Sequence, residues 1–337
     1  MKQKTKLILQ NKHKTMPILS FPSVQLLGIT VDQLIGSSEM QCRGMEAIAD
    51  RCDIGASLNM MDLSVEAECF GATIRFSGHE IPTVEEGVIS DIADAAKLAV
   101  PQVGTGRTSL YLEGVRMAKE RLQDRMVFCG AIGPYSLAGR LFDMTELMMT
   151  CYDSPDDVHI LLQKATDFIA EYILAFRDMG ADGVIIAEPA AGLLSPDLAE
   201  EFSMPYVRQI IERINRDDFV ICYHNCGNAV GDMAQQLRDL DADIFHFGNA
   251  VDIRKLIENL PSDRIVMGNV DPVLFRTGTP EAVRRDVERV YRECGSFENF
   301  MISTGCDVPA EAKWENIDAY FEKVAQLYAP QPAANGQ

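Results

Sequence analysis

The chain lacks any hydrophobic run long enough to cross a bilayer. Its opening, "MKQKTKLILQNKHKTM", has an apolar patch that is also too short for a signal peptide. These two absences favour a cytoplasmic protein. With 337 residues that are 47% hydrophobic, the sequence is long enough for a large core, either in one barrel-sized domain or in two ordinary ones.

Positive charge is also scarce. The 31 lysines and arginines face 50 aspartates and glutamates, which gives a formal net charge of −19. The negative electrostatic field of this charge repels phosphate backbones and anionic lipids, so we expect neither nucleic acid nor membrane among the partners. A small molecule or another protein is expected instead. The basic residues 1–15 are expected to form a flexible extension, and residues 330–337 a disordered tail.

Closely paired cysteines are missing as well. The nine cysteines are an odd number, and no two of them form a Cys-x-x-Cys pair. In a chain without a secretion signal this pattern predicts reduced thiols rather than a disulfide framework. It also disfavours a structural zinc site with four ligands, which usually draws on such pairs.

What the chain does contain is an alternation of short apolar runs with longer amphipathic segments, typical of β/α units around a parallel sheet. Each run ends in glycine, proline or a polar residue, so these residues collect at the carboxyl ends of the strands, where a β/α barrel builds its active site. An open doubly wound sheet is disfavoured, because no glycine-rich phosphate fingerprint follows any strand. The predicted strands are 52–60, 126–134, 183–189, 219–227, 243–249, 264–272 and 299–307.

The predicted fold is therefore α/β, a distorted (β/α)8 TIM-type barrel whose eighth strand is missing or irregular. Residues 67–84 alternate like an antiparallel hairpin, and we interpret them as an insertion over the barrel mouth. The acidic residues nearby, Asp62, Glu66 and Glu68, are expected to lie on a solvated face.

The stretch "ICYHNCGNAV" (221–230) carries one of only five histidines, two residues before a cysteine. On a strand, Cys222, His224 and Cys226 share one face, and Cys222 lies deeper, among the residues that fill a barrel. Cys306 ends a later strand in the same way as Cys226. The residue types alone leave three alternatives open: a zinc site with three protein ligands, ordinary buried residues, or a Cys–His nucleophile. His246, with apolar neighbours, is expected to be a core histidine.

Five motifs follow one another along the chain: "GPYSLAGRL" (133–141), "IIAEPAAGLLSP" (185–196), "HNCGN" (224–228), "GNVDP" (268–272) and "STGCDVP" (303–309). They resemble motifs of the uroporphyrinogen decarboxylase superfamily and are most similar to its branch of corrinoid-dependent methyltransferases, which methylate coenzyme M and related acceptors. The resemblance implies a single barrel domain over residues 16–329 with Zn²⁺ bound by His224, Cys226 and Cys306. It also implies a methylcobamide as co-substrate, a corrinoid protein as transient partner and a small thiol as acceptor.

Two acidic residues at strand ends are candidate catalytic groups. Glu188 is a candidate fourth zinc ligand or a partner of His224, with a helix cap or a salt bridge as the alternative. Asp271 either orients the substrate or shapes the turn before Pro272.

The sequence departs from true uroporphyrinogen decarboxylases, because the arginine-rich motif expected near the amino terminus is absent from residues 37–52. A zinc-activated thiolate that takes the methyl group from a corrinoid is the first functional hypothesis. Decarboxylation of uroporphyrinogen is the second. A corrinoid-handling protein that keeps zinc only for structure is the third.

Overall fold

The computed structural model describes residues 1–329, and the predicted disordered tail at 330–337 lies outside them. Seven parallel strands form one sheet in the order β1-β4-β5-β6-β7-β8-β9, while β2 and β3 pair separately as an antiparallel hairpin. This is the curled α/β sheet of a TIM-like barrel. The strands are Ala56–Leu58 (β1), Thr73–Arg75 (β2), Thr83–Glu86 (β3), Met126–Ile132 (β4), Gly183–Ala187 (β5), Val220–Asn225 (β6), Ile244–Phe247 (β7), Ile265–Val270 (β8) and Phe300–Thr304 (β9).

Helices connect and cover the strands, and their sequences explain where they begin and which face they bury. In α15, Thr279 accepts a hydrogen bond from the Ala282 amide at 3.3 Å, and Pro280 occupies the first turn. The helices are Gln3–Gln10 (α1), Ser23–Leu27 (α2), Val31–Ile35 (α3), Ser38–Arg51 (α4), Val65–Phe70 (α5), Thr108–Arg121 (α6), Pro134–Leu141 (α7), Met144–Asp153 (α8), Pro155–Asp178 (α9), Pro196–Phe202 (α10), Met204–Ile214 (α11), Ala234–Arg238 (α12), Ile253–Ile257 (α13), Val273–Thr277 (α14), Pro280–Cys294 (α15) and Trp314–Tyr328 (α16), with 3-10 helices at Ile92–Lys97, Pro189–Leu193 and Asn228–Asp232.

The barrel interior is filled by residues two apart along each strand. Val220 and Cys222 of β6 pack there with Ile244 of β7 and Met301 of β9, all of them buried. The alternating side-chain direction of strands therefore places His224, the next residue of this series on β6, at the top of the interior. Within residues 1–329, no helix is both long and apolar enough to cross a membrane.

An irregular segment, residues 15–18, lies between the edge strands β9 and β1, where an eighth strand would be expected. On the β9 side, the Thr15 hydroxyl donates to the Ile302 carbonyl, and the Ile18 amide donates to the Thr304 hydroxyl at 3.1 Å. On the β1 side, the Gly55 amide donates to the Thr15 carbonyl at 3.0 Å. The segment thus links the two edges of the sheet without forming a regular strand.

The loose extension predicted at residues 1–15 is wrong, because residues 3–10 form α1 and pack under the barrel. The Lys2 ammonium lies 2.8 Å from Asp243 Oδ2, and the Lys4 ammonium lies 2.6 Å from Asp182 Oδ1. Ile8 is only 5% exposed. The basic residues that suggested a solvated tail are held by acidic partners far away in the sequence.

The predicted antiparallel hairpin exists as β2 and β3, although residues 65–70 form α5 rather than part of a strand. Within the hairpin connection, the Phe76 ring lies 5.1 Å from the Arg107 guanidinium, which is a cation–π contact. The position of the hairpin over the barrel mouth stays a prediction.

Candidate metal centre

Three side chains meet at the carboxyl end of the sheet. One ligand atom each from His224, Cys226 and Cys306 lies within 4.8 Å of the other two, and Cys306 Sγ is 3.7 Å from His224 Nε2. In the sheet, β6 and β9 are separated by β7 and β8. Three strand spacings would put them about 14 Å apart in a flat sheet, so the curl of the sheet creates this cluster.

Two glycine contacts hold the loop that carries Cys226. A Cβ atom at Gly248 would lie 2.6 Å from the Cys226 Cα atom, and one at Gly227 would lie 2.4 Å from the Gly192 Cα atom. Side chains at either glycine would push the loop away, because real Cβ atoms do not approach a backbone so closely. The glycines after β5, β6 and β7 therefore fix where the Cys226 sulfur lies.

The two thiols of the cluster differ in acidity, because they lie close enough to interact. The interaction with Cys306 lowers the pKa of Cys226 to about 7, against the effect of burial. The same interaction, together with burial, raises the pKa of Cys306 to about 12. The other seven cysteines, all in the described part of the chain, have a raised pKa. Cys226 is thus the cysteine that forms a thiolate most readily near neutral pH.

Behind His224 lies a second buried histidine that the sequence analysis assigned to the core. His246 Nδ1 is 2.7 Å from His224 Nδ1, and its Nε2 is 2.9 Å from the Ser303 hydroxyl. The two histidines are register partners on β6 and β7. The sequence could have indicated this pairing, since each histidine lies near the carboxyl end of a predicted strand and the two strands follow one another along the chain.

Glu188 is not part of the cluster. Its fully buried carboxylate accepts hydrogen bonds from the Tyr135 amide at 3.0 Å and the Ser136 amide at 2.7 Å, at the beginning of α7. This is the helix-terminus arrangement that the sequence analysis weighed as the alternative. Burial raises the pKa of Glu188 to about 7. A catalytic role for Glu188 stays a prediction.

Asp271 lies in a turn after β8. Its carboxylate accepts from the Val273 amide at 2.9 Å, and its own amide donates to Asp286 Oδ2 at 2.8 Å. The first contact is a local side-chain-to-backbone bond of the kind that shapes turns. Its alternative role in orienting a substrate stays a prediction.

Sequence reasoning was wrong about the acidic run after β1, part of which is buried. Asp62 accepts from Arg107 Nη1 at 2.5 Å and from the Tyr111 hydroxyl at 2.9 Å. Glu66 accepts from the Ile132 amide at 3.0 Å with one oxygen, while the other is buried without a partner in residues 1–329. The burial of Asp62 depends on its ion pair with Arg107, which lies about 45 residues further along the chain and which sequence reasoning did not identify as its partner.

Asp307, directly after Cys306, is a second group that the sequence analysis missed. Both of its carboxylate oxygens are buried, and neither finds a hydrogen-bond partner in the described part of the chain. Burial raises its pKa well above the usual value, and the neighbouring Cys306 adds to the effect.

The curled parallel sheet defines a β/α-barrel protein. One imidazole and two thiols at the carboxyl end of the sheet form a candidate metal centre, in the position where such barrels build active sites. The family model described as "Uroporphyrinogen decarboxylase (URO-D)" matches residues 23–327. The chain belongs to this family, and the resemblance carried by its motifs is confirmed.

The relatives include two kinds of enzyme. A methylcobamide:CoM methyltransferase, MtbA, of Methanosarcina acetivorans is 26% identical over 77% of this chain and 76% of its own length. A uroporphyrinogen decarboxylase of Pseudomonas syringae is 25% identical over 83% of this chain and 81% of its own length. A solved methyltransferase structure from Methanosarcina mazei has a TM-score of 0.85 at 21% identity and covers 98% of this chain and 100% of that chain, which shows the shared fold.

Proposed function

We propose that the protein is a zinc-dependent methyltransferase that moves a methyl group from a methylated corrinoid, carried by a partner protein, to a small thiol such as coenzyme M. The convergence of His224, Cys226 and Cys306 at the barrel mouth carries this proposal. The similarity to methylcobamide:CoM methyltransferases supports it.

The donor set fits zinc in both chemistry and spacing. One imidazole and two thiolates with a fourth position left for a substrate are typical of catalytic zinc sites. With Zn–S of about 2.3 Å and Zn–N of about 2.0 Å, tetrahedral geometry would separate a sulfur and a nitrogen ligand by roughly 3.5 Å. The distance of 3.7 Å between Cys306 Sγ and His224 Nε2 agrees with that separation.

When bound at these residues, zinc supplies positive charge that favours the thiolate form of an acceptor thiol at neutral pH. Cys226 and Cys306 contribute two negative charges, which keep the acceptor sulfur electron-rich, and His224 contributes a neutral nitrogen donor. In the proposed reaction the sulfur forms a bond to the methyl carbon and the cobalt–carbon bond breaks. Its electron pair stays on cobalt, which goes from Co(III) to Co(I), and the thiol proton passes to solvent.

Metal analysis combined with a methyl-transfer assay tests the proposal. Purified protein is expected to hold about one zinc per chain. After zinc loading it is expected to transfer methyl from methylcobalamin to coenzyme M or homocysteine, with tetrahydrofolate, which is not a thiol, assayed in parallel. Zinc-loaded protein that transfers to neither thiol, or that decarboxylates uroporphyrinogen, contradicts the proposal.

Cys222 offers a matched control for Cys226. It points to the same side of β6 but lies deeper, is 1% exposed, and is absent from the cluster. Cys226→Ala is expected to abolish zinc binding and methyl transfer, whereas Cys222→Ala is expected to leave both nearly unchanged. Equal effects of the two substitutions would mean that the sulfur of Cys226 has no special role.

A further inference from the structure

We propose that His246 is a positioning residue that fixes His224 in one tautomer, with the proton on Nδ1 and a free electron pair on Nε2. The inference rests on the proposed function only where it concerns zinc. The arrangement of protons follows from hydrogen-bond geometry that does not involve the metal.

A buried chain of hydrogen bonds runs from Met16 through Ser303 and His246 to His224. The Ser303 hydroxyl lies 2.8 Å from the Met16 carbonyl oxygen, which can only accept, so the single hydroxyl hydrogen is donated there. His246 Nε2 lies 2.9 Å from the same hydroxyl oxygen. Since that oxygen has already used its hydrogen, Nε2 of His246 must be the donor to it.

A neutral imidazole carries one hydrogen only, so Nδ1 of His246 is then an acceptor. His246 is fully buried, its side chain contacts the Ser303 hydroxyl and the His224 ring, and such burial disfavours a charged ring. The atom 2.7 Å away is Nδ1 of His224, which must therefore donate. The His246 carbonyl oxygen, 3.3 Å from the same Nδ1, can also only accept, and it requires the same proton position.

With the proton on Nδ1, His224 directs the electron pair of Nε2 toward Cys306 Sγ, 3.7 Å away. This is the atom that a zinc ion held by the three side chains requires. A hydrogen bond from the non-coordinating nitrogen of a metal-bound histidine typically orients the ring and strengthens the ligand. The chain of bonds ends at Met16, in the segment that links β9 to β1, so the closure of the barrel and the orientation of the zinc ligand depend on the same residues.

Zinc affinity, measured by competition with a chelator, tests the role of His246. His246→Leu is expected to lower the affinity about 10- to 100-fold, with the loss limited by the His246 carbonyl, which the substitution keeps. His246→Asn is expected to restore most of the affinity, because its amide oxygen takes the place of Nδ1 as acceptor. His159→Leu, a histidine on α9 bonded to Tyr206 outside the site, is the matched control and is expected to have no effect.

Nitrogen NMR of the histidine rings in the wild-type protein tests the tautomer directly, even without zinc. His224 is expected to carry its proton on Nδ1 and His246 on Nε2 in the metal-free protein, and His224 is expected to keep that tautomer when zinc is added. Ser303→Ala is expected to let His246 populate both tautomers and to weaken zinc binding by less than His246→Leu does.

Two results would overturn the inference: wild-type zinc affinity in a folded His246→Leu protein, or a proton on Nε2 of His224 in the metal-free wild type. Should the wild type bind no zinc at all, the proposed function fails, while the NMR measurement still decides the tautomer. If His246→Leu does not fold, Ser303→Ala and the wild-type spectra decide.

Discussion

The two ends of the barrel differ in how their buried aspartates are paired. At the amino end, Asp182 accepts from the Lys4 ammonium at 2.6 Å, from the Lys119 ammonium, and from the Val127 amide at 2.9 Å. At the carboxyl end, Asp307 has two buried carboxylate oxygens without any partner in residues 1–329. The amino end thus pairs its aspartates with lysines and backbone amides, whereas the carboxyl end, beside paired carboxylates such as that of Glu188, has one carboxylate with neither oxygen paired in the described part of the chain.

The amino end also repeats its arrangement. Asp243, before β7, accepts from Lys2 at 2.8 Å and from the Ile221 amide at 2.9 Å, as Asp182 does before β5 with its own lysines and amide. Each aspartate thus connects a strand to the beginning of its neighbour and to α1. Under the proposed function, the amino end contributes stability and the mouth contributes chemistry, which is the division expected of β/α barrels.

The largest expected effect concerns zinc at the mouth. Zinc at about 1,000 times its dissociation constant is expected to raise the free energy of unfolding by about 4 kcal/mol. Cys306→Ser should abolish this increase, because it removes one of the three ligands, and should leave the metal-free protein nearly as stable as before. Urea unfolding with and without zinc measures both. A Cys306→Ser protein that zinc still stabilises fully would break the comparison.

The second prediction concerns an aspartate at the amino end of the barrel instead of a residue at the mouth. Asp182→Ala is expected to lower the free energy of unfolding by about 3 kcal/mol, because it leaves two lysines and a buried amide without their acceptor. Its zinc affinity should equal that of the wild type. Urea unfolding and chelator competition on the same preparation measure the two quantities, and a loss of zinc affinity without loss of stability contradicts the division.

The third prediction uses pH, because the two ends carry pKa shifts of opposite sign. Burial raises the pKa of Glu66, near the mouth, from 4.5 to about 7. Burial would also raise the pKa of Asp182, but hydrogen bonds from Lys119, Lys4 and Val127 outweigh it, and the pKa is lowered. A raised carboxyl pKa contributes stability that is present below the unfolded value and lost as pH rises through the folded value, and a lowered one does the reverse.

Glu66→Gln keeps an acceptor for the Ile132 amide and removes the titration. The substituted protein should therefore gain about 2 kcal/mol relative to the wild type between pH 5 and pH 8. Unfolding curves at several pH values measure this gain. A stability difference that does not change with pH would mean that Glu66 ionises in the folded protein as it does in the unfolded chain.

The smallest expected effect is at α1. Replacing both Lys2 and Lys4 with methionine should cost about 1 kcal/mol, because the lysine side chains keep 13% and 31% exposure and because Asp243 and Asp182 keep their backbone-amide donors. Lys6→Met, at an exposed position of the same helix, is the control and should cost nothing measurable. Urea unfolding decides, and a result of zero for the double substitution would mean that these two ion pairs do not help to hold α1 against the barrel.

The sequence by itself determined the repeating units and pointed to the three candidate ligands. Seven strands and the helices between them follow from short apolar runs and amphipathic periods, which are local patterns. The side-chain alternation of a strand also ranked Cys226 above Cys222, and each of the three candidate ligands lies at the carboxyl end of its strand or within two residues beyond it. The use of Glu188 at a helix terminus was likewise among the alternatives that the sequence offered.

Only the tertiary structure decided which distant groups became partners. The curl of the sheet brings Cys306 to His224, and the pairing of β6 with β7 brings His246 behind it. Lys2 and Lys4 bind aspartates more than 170 residues away, because α1 folds under the barrel. The spacing of apolar residues in the sequence indicates which side of a helix or strand is buried. The partner of a charged group or of a ring nitrogen depends instead on which residues the closed sheet places next to it.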